Sequence, residues 1–249
     1  MALAARQRFL LLPGTLCDDR IFDPLRETLG RFGQTVDADY ADAATIEAMA
    51  EAALLSAGPE ERQDPLIPVG VSMGGIVALE ILRSAPARIG GLILFATNPA
   101  ADTPAAQERR AAQMGTADTE GIDSLARQLA ALYASPERNE TDPSTMVREM
   151  ARNVGIGAFR RQADALTHRR DYRGTLPSIA VPTLVIGGAH DAICTPRSQS
   201  ALAAQIPTAR YAELRHAGHL ALLDAGDDCR TIVADWLEHT LGHSSRGAS

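Results

Sequence analysis

Gly70-Val71-Ser72-Met73-Gly74, followed by Gly75, places a serine where an apolar run, Leu66 to Val71, meets an apolar helical pattern, Met73 to Ser84. A serine at such a junction sits on a sharp, strained turn that projects its hydroxyl, and flanking glycines remove side chains that would clash there. The helix that follows points its first backbone N–H groups at the same place. A hydroxyl is a weak nucleophile until a histidine takes its proton. The histidine in turn needs a carboxylate to hold its tautomer and stabilise the imidazolium. Both partners occur downstream: Asp191 ends the turn Gly187-Gly188-Ala189-His190-Asp191, and His219 follows an apolar run ending near Leu214. His216 competes for the role of base from the same loop, His216-Ala217-Gly218-His219. His219 is preferred, because a glycine directly before it lets the loop backbone approach the serine closely. His190 reads as a locally bonded loop residue, and His168, His239 and His243 as solvated.

The elements that must carry these groups follow from the apolar pattern. Phe9 to Leu12, Leu66 to Val71, Ile89 to Ala96 and Val181 to Ile186 are short apolar runs closed by proline or glycine, the mark of buried strands. Thr208 to Leu214 is a weaker fifth, and a sixth lies around Thr35 to Ala38. Helical patterns fall between them at Pro24 to Leu29, Thr45 to Ser56, Met73 to Ser84, Pro196 to Gln205 and Asp227 to Leu241. In the last, Cys229, Ile232, Val233, Trp236 and Leu237 form one apolar stripe. Strands alternating with helices predict an α/β fold, a mainly parallel sheet of about six strands covered on both faces.

The alternation stops between Asp102 and His168, where charged, alanine-rich helical segments stand in place of strands. Leu125, Leu129, Leu132 and Tyr133 share one helical face there, as do Met146, Met150 and Val154. The expected organisation is a core of residues 1–100 and 170–243, a helical lid over 101–169, and a flexible tail at 244–249.

Composition excludes several classes. With 45% hydrophobic and 22% charged residues, the 249-residue chain suits one globular catalytic domain. A formal charge of −7 and the lack of any lysine argue against nucleic acid and other polyanions as partners. Arg6 and Arg8 precede Phe9 to Leu12, too short an apolar run for a signal peptide, and no stretch nears the roughly 20 apolar residues of a membrane span. Cys17, Cys194 and Cys229 are scattered, without metal-site spacing, and read as packed thiols in a reducing cytoplasm. No metal and no cofactor is expected.

Over nearly its whole length the chain resembles the α/β-hydrolase superfamily, whose small esterase and enol-lactonase members it suggests. The resemblance rests on Leu11-Leu12-Pro13-Gly14-Thr15, Gly70 to Gly74, Val181 to Gly187 with Asp191 and Pro196, and Ala217-Gly218-His219, in that order. It implies an oxyanion hole made by the backbone N–H groups of Met73 and Thr15. It also implies a compact version of the fold that lacks the first two strands. Pro13 stands where the family commonly has a histidine.

A triad with such a hole attacks a carbonyl, forms an acyl-serine and releases it with water. The expected substrate is a small carboxylic ester. Val154-Gly155-Ile156-Gly157-Ala158-Phe159 and Asp171-Tyr172-Arg173 also resemble the 3-oxoadipate enol-lactonase branch, which keeps a lactone open as an alternative, beside thioesters and carbon-carbon bonds. A lyase or ligand-binding member of the fold is the reading outside hydrolysis. Leu16, Met114, Leu125, Leu129, Met146, Met150 and Phe159 are candidate pocket walls, and Arg160-Arg161 a candidate holder of a substrate carboxylate. A monomer or homodimer, without a membrane partner, is expected.

Overall fold

A computed structural model describes residues 7–59, 64–136 and 144–244; Arg6 and the expected tail after Ser244 lie outside them. Six strands form one sheet: β1 (Gln7–Leu12), β2 (Gly33–Asp37), β3 (Leu66–Val71), β4 (Leu92–Phe95), β5 (Thr183–Gly188) and β6 (Ala209–Leu214). They run in the order β2-β1-β3-β4-β5-β6, and every pairing is parallel. The central strands are buried at every position but one, as expected for strands covered on both faces.

The covering helices are α1 (Asp23–Phe32), α2 (Ile46–Ser56), α3 (Met73–Ser84), α7 (Pro196–Ala204), the short α8 (Ala221–Asp224) and α9 (Gly226–Ser244). Leu10, Leu94 and Val185 pack with α2, α3 and α7 on one face, while Phe9, Ile93 and Ile186 pack with α1 and α9 on the other. The stripe expected on α9 holds: Cys229, Val233, Trp236 and Leu237 are buried in the second cluster and Ile232 packs on its edge. Burying each such aliphatic side chain contributes about 1.5–3 kcal/mol.

Between β4 and β5 the chain forms α4 (Pro104–Glu120), α5 (Ile122–Tyr133) and α6 (Ser144–His168). Gly155, at φ 76°, breaks α6 into two helical stretches. These helices have a core of their own in Leu16, Ala117, Leu125, Ala126, Leu129, Ala151, Phe159 and Ala163.

Of the strand boundaries that differ from the expectation, those of β4 and β5 have a clear local cause. β4 begins at Leu92, not Ile89, which makes a single bridge to Leu66 before Gly90-Gly91 turns the chain into the sheet. β5 starts at Thr183, after Pro182, which has no N–H to give the ladder. It continues through Gly187 and Gly188, which pair with Glu213 and Leu214 instead of closing the strand. No helix among the described residues is long and apolar enough to cross a membrane.

Candidate active site

β2 and β3 flank β1 on opposite sides, so the direction of winding reverses between β1 and β3. In open parallel sheets a crevice opens at the carboxyl ends of the strands at such a reversal. Thr15 follows β1 and Ser72 follows β3, which puts both at that crevice.

Ser72 has φ 52° and ψ −109°, a strained conformation for a side-chain-bearing residue, and its N–H donates to the Phe95 carbonyl at 2.8 Å. The turn is tight because α3 passes directly over the end of β1: a Cβ at Gly74 would sit 1.8 Å from the Leu12 carbonyl oxygen. No other residue fits there.

Asp191 lies in the loop after β5. Its Oδ1 accepts from the backbone N–H groups of Ile193 and Cys194, both at 2.8 Å, and its Oδ2 accepts from His219 Nδ1 at 2.8 Å. Since the carboxylate can only accept, Nδ1 carries the proton and Nε2 is left to accept from the Ser72 hydroxyl, 3.0 Å away. Asp191 and His219 are buried. Burial alone would raise the Asp191 pKa; the His219 bond and charge and the two backbone donors outweigh it and hold the carboxyl below its ordinary value.

The histidine loop meets α5 as well as the serine. His219 N–H donates to the Tyr133 carbonyl at 2.9 Å, and the two rings lie 5.0 Å apart. A Cβ at Gly218 would sit 2.2 Å from that same carbonyl oxygen. The glycine before the histidine therefore makes room for the end of α5. Gly218 N–H donates to Asp224 Oδ2 at 2.7 Å, which anchors the loop from its other side.

Thr15 and Met73 both line the cavity over Ser72. Met73 opens α3, whose first-turn N–H groups have no partner within the helix. The neighbouring Leu16 has φ 56°, and its N–H donates to the buried side chain of Gln162, from α6, at 3.0 Å. The loop that presents Thr15 is thus held from above.

The cavity has a volume of about 180 Å³. Of the walls expected from sequence, Leu129 lines it. Leu16, Met114, Leu125 and Phe159 belong to the core of α4 to α6, and Met146 and Met150 pack toward the sheet. The lining includes instead Ile76, Leu132, Tyr133, Leu166, Ile193 and Cys194, with Asp102, Arg109, Arg110 and Arg169. Arg160 pairs with Asp118, and Arg161 with the Ala41 carbonyl and Asp42, away from this cavity. His216 is exposed and lines a separate open recess of about 800 Å³ that contains none of Ser72, Asp191 and His219.

Arg-Arg occurs three times in the sequence, at 109–110, 160–161 and 169–170. Only the fold tells which of them line the cavity over Ser72. Gln162 had a weak signal, a polar residue among the apolar positions of α6.

Asp191, Cys194 and His219 offer ligand atoms within 4.8 Å of one another. Their chemistry suits a hydrogen-bonded line better than a metal. Both Asp191 oxygens are engaged, and burial pushes the Cys194 thiol up, away from the thiolate that a metal requires. Cys17 is likewise pushed up by burial, to about 12.

A family model described as serine aminopeptidase, S33, matches residues 44–225. The pimeloyl-[acyl-carrier protein] methyl ester esterase of Aromatoleum aromaticum is 28% identical over 207 residues, 77% of this chain and 79% of that protein. The solved structure of a thermophilic esterase from Thermogutta terrifontis, malate bound, is 26% identical with a TM-score of 0.84, covering 94% of this chain and 90% of that one. The enol-lactonase from Burkholderia xenovorans LB400 shares the fold at a TM-score of 0.81 and 24% identity, covering 94% of this chain and 91% of that one.

Proposed function

The chain belongs to the serine aminopeptidase S33 family of α/β-hydrolases, and from that premise we propose that it is a serine hydrolase cleaving a small carboxylic ester. The observation that carries this reading is the line Ser72 Oγ, His219 Nε2, His219 Nδ1, Asp191 Oδ2, with hydrogen bonds of 3.0 and 2.8 Å at the two joints. The esterase names of the relative and of the structural neighbour support it.

In this reading Ser72 Oγ attacks the ester carbonyl while His219 Nε2 takes its proton, and Asp191 stabilises the imidazolium. The N–H groups of Met73 and Thr15 hold the oxyanion of the tetrahedral intermediate. Collapse expels the alcohol, which takes the proton from His219, and leaves an acyl-serine. Water, deprotonated by His219, then releases the acid and restores the serine. Helices α4 to α6 act as a lid that closes the cavity from above.

Hydrolysis of p-nitrophenyl acetate, butyrate and octanoate by the wild type and by Ser72→Ala, His219→Ala and His216→Ala tests the assignment. The first two variants lose on the order of 10⁶-fold in kcat, by analogy with other serine triads. His216→Ala keeps activity. An active Ser72→Ala enzyme, or loss on changing His216, would sink the reading.

A further inference from the structure

The cavity over Ser72 is cationic in a chain that carries a formal charge of −7. Apart from His219, its charged lining is three arginines and one aspartate. Asp102, in the loop after β4, has a side chain 2% exposed and receives two guanidinium groups. Arg169 NH1 lies 2.6 Å from its Oδ1, and Arg110 Nε lies 2.5 Å from its Oδ2. Arg169 also donates to the carbonyls of Ala100 and Leu166, so its fork is committed to the protein. Arg110 is less consumed: its Nε and NH2 donate to Asp102 at 2.5 and 3.4 Å, which leaves NH1 available among the described residues, on a side chain that is 23% exposed and lines the cavity. One carboxylate cannot neutralise two guanidiniums, and both stay protonated in a protein. Burial penalises an uncompensated charge unless something pairs with it. Arg109, beside them on α4, is exposed, lines the same cavity, and pairs with no acidic side chain among the described residues.

We propose that the substrate carries a carboxylate, held by Arg110 with Arg109 at the rim, so that the enzyme prefers monoesters of dicarboxylic acids to neutral esters. The proposal rests on Ser72 as nucleophile. Asp102 and Arg169 act here as positioning residues: Asp102, itself held by Arg169, fixes the Nε/NH2 edge of Arg110 and so presents its NH1 end to a carboxylate. At about 180 Å³ the cavity is near the size of one that holds benzene, roughly 150 Å³, which suits a short chain between ester and carboxylate.

The test compares kcat/KM for monomethyl glutarate and dimethyl glutarate, following acid release. Their ratio, taken on one preparation, is insensitive to any misfolded fraction. The wild type favours the monoester by roughly tenfold to a hundredfold, as a charge-assisted pair predicts. Arg110→Gln lowers that ratio by about tenfold and Arg109→Gln by less, both mainly through KM, while Arg110→Lys restores part of it. A wild-type ratio of one or below, or a ratio unmoved in both glutamine variants, overturns the proposal. So does preference for a phosphate-bearing methyl ester of equal length. Fluorophosphonate labelling of Ser72 in the same samples separates the two failures: absence of the label condemns the nucleophile assignment, and its presence with an unmoved ratio condemns the carboxylate site alone.

Discussion

The sheet and the helices between β4 and β5 contribute to the same cavity by different physics. Around Ser72 the sheet works through backbone packed against backbone: α3 over the end of β1, and Ser72 N–H bonded to Phe95 of β4. Such contacts leave no volume to vary. The helical segment works mostly through side chains and ion pairs, with Arg110 and Arg169 on Asp102 and Leu129 and Leu132 along the wall. Side chains can be exchanged while the helices persist. The first region therefore fixes Ser72 and the backbone around it, and the second is where the cavity lining can change.

That contrast predicts a graded set of outcomes. Replacing Asp191 by Asn keeps the shape of the core but presents the wrong tautomer to Ser72, and kcat falls by roughly 10⁴-fold. The same variant tests the depressed carboxyl. Because the folded pKa lies below the unfolded value of about 3.9, the unfolded chain binds the extra proton between the two. The stabilisation is complete above that unfolded value and is lost as pH falls through the folded one. Urea midpoints at pH 7 and pH 3 should fall further in the wild type than in Asp191→Asn; equal falls would mean that the carboxylate is not paired.

Gly74→Ala comes next. Its Cβ would meet backbone, which cannot swing aside, so a loss above about 4 kcal/mol or failure to fold is expected in thermal unfolding. A variant that folds with native stability would remove the rigid half of the comparison. Gln162→Leu is milder, leaving the Leu16 N–H buried without an acceptor at a cost of about 1–3 kcal/mol in urea unfolding. Its activity should drop more than its stability accounts for, because the neighbouring Thr15 loses its anchor; unchanged kcat would break that link. Smallest is Gly115→Ala on α4, where an added Cβ meets nothing within 4 Å. It should stabilise by about 0.5–1 kcal/mol through helix propensity, with turnover unchanged.

Legibility in the sequence follows the same division. β3 and α3 end where the apolar pattern places them, at Leu66–Val71 and Met73–Ser84, because buried strands and the helices upon them need unbroken apolar residues. Ser72, Asp191 and His219 stand out because glycines cluster where β3, β5 and β6 hand over to their loops. The cavity walls were not legible, since an amphipathic helix has one apolar face whether that face meets a substrate or another helix. Met114, Leu125 and Phe159 face their neighbours, whereas Leu132, on the same pattern, lines the cavity. Nor does the pattern tell Arg109-Arg110 from Arg160-Arg161, because partner choice depends on distant loops such as those of Asp102 and Asp42.

Two of the threads that tie the helices to the sheet loops, Gln162 to Leu16 and the Tyr133 carbonyl to His219, limit how such an enzyme can be recombined. Residues 104–168 look like a cassette, joined to the rest at two points and free to be traded between relatives for a new cavity. Yet a donor cassette lacking an acceptor at the position of Gln162, or ending its second helix a residue early, would disturb the serine's partners along with the walls. Exchange of the whole segment should therefore yield folded chains with poor turnover more often than chains with altered preference, whereas exchange of Arg109, Arg110 or Leu132 alone leaves both threads intact.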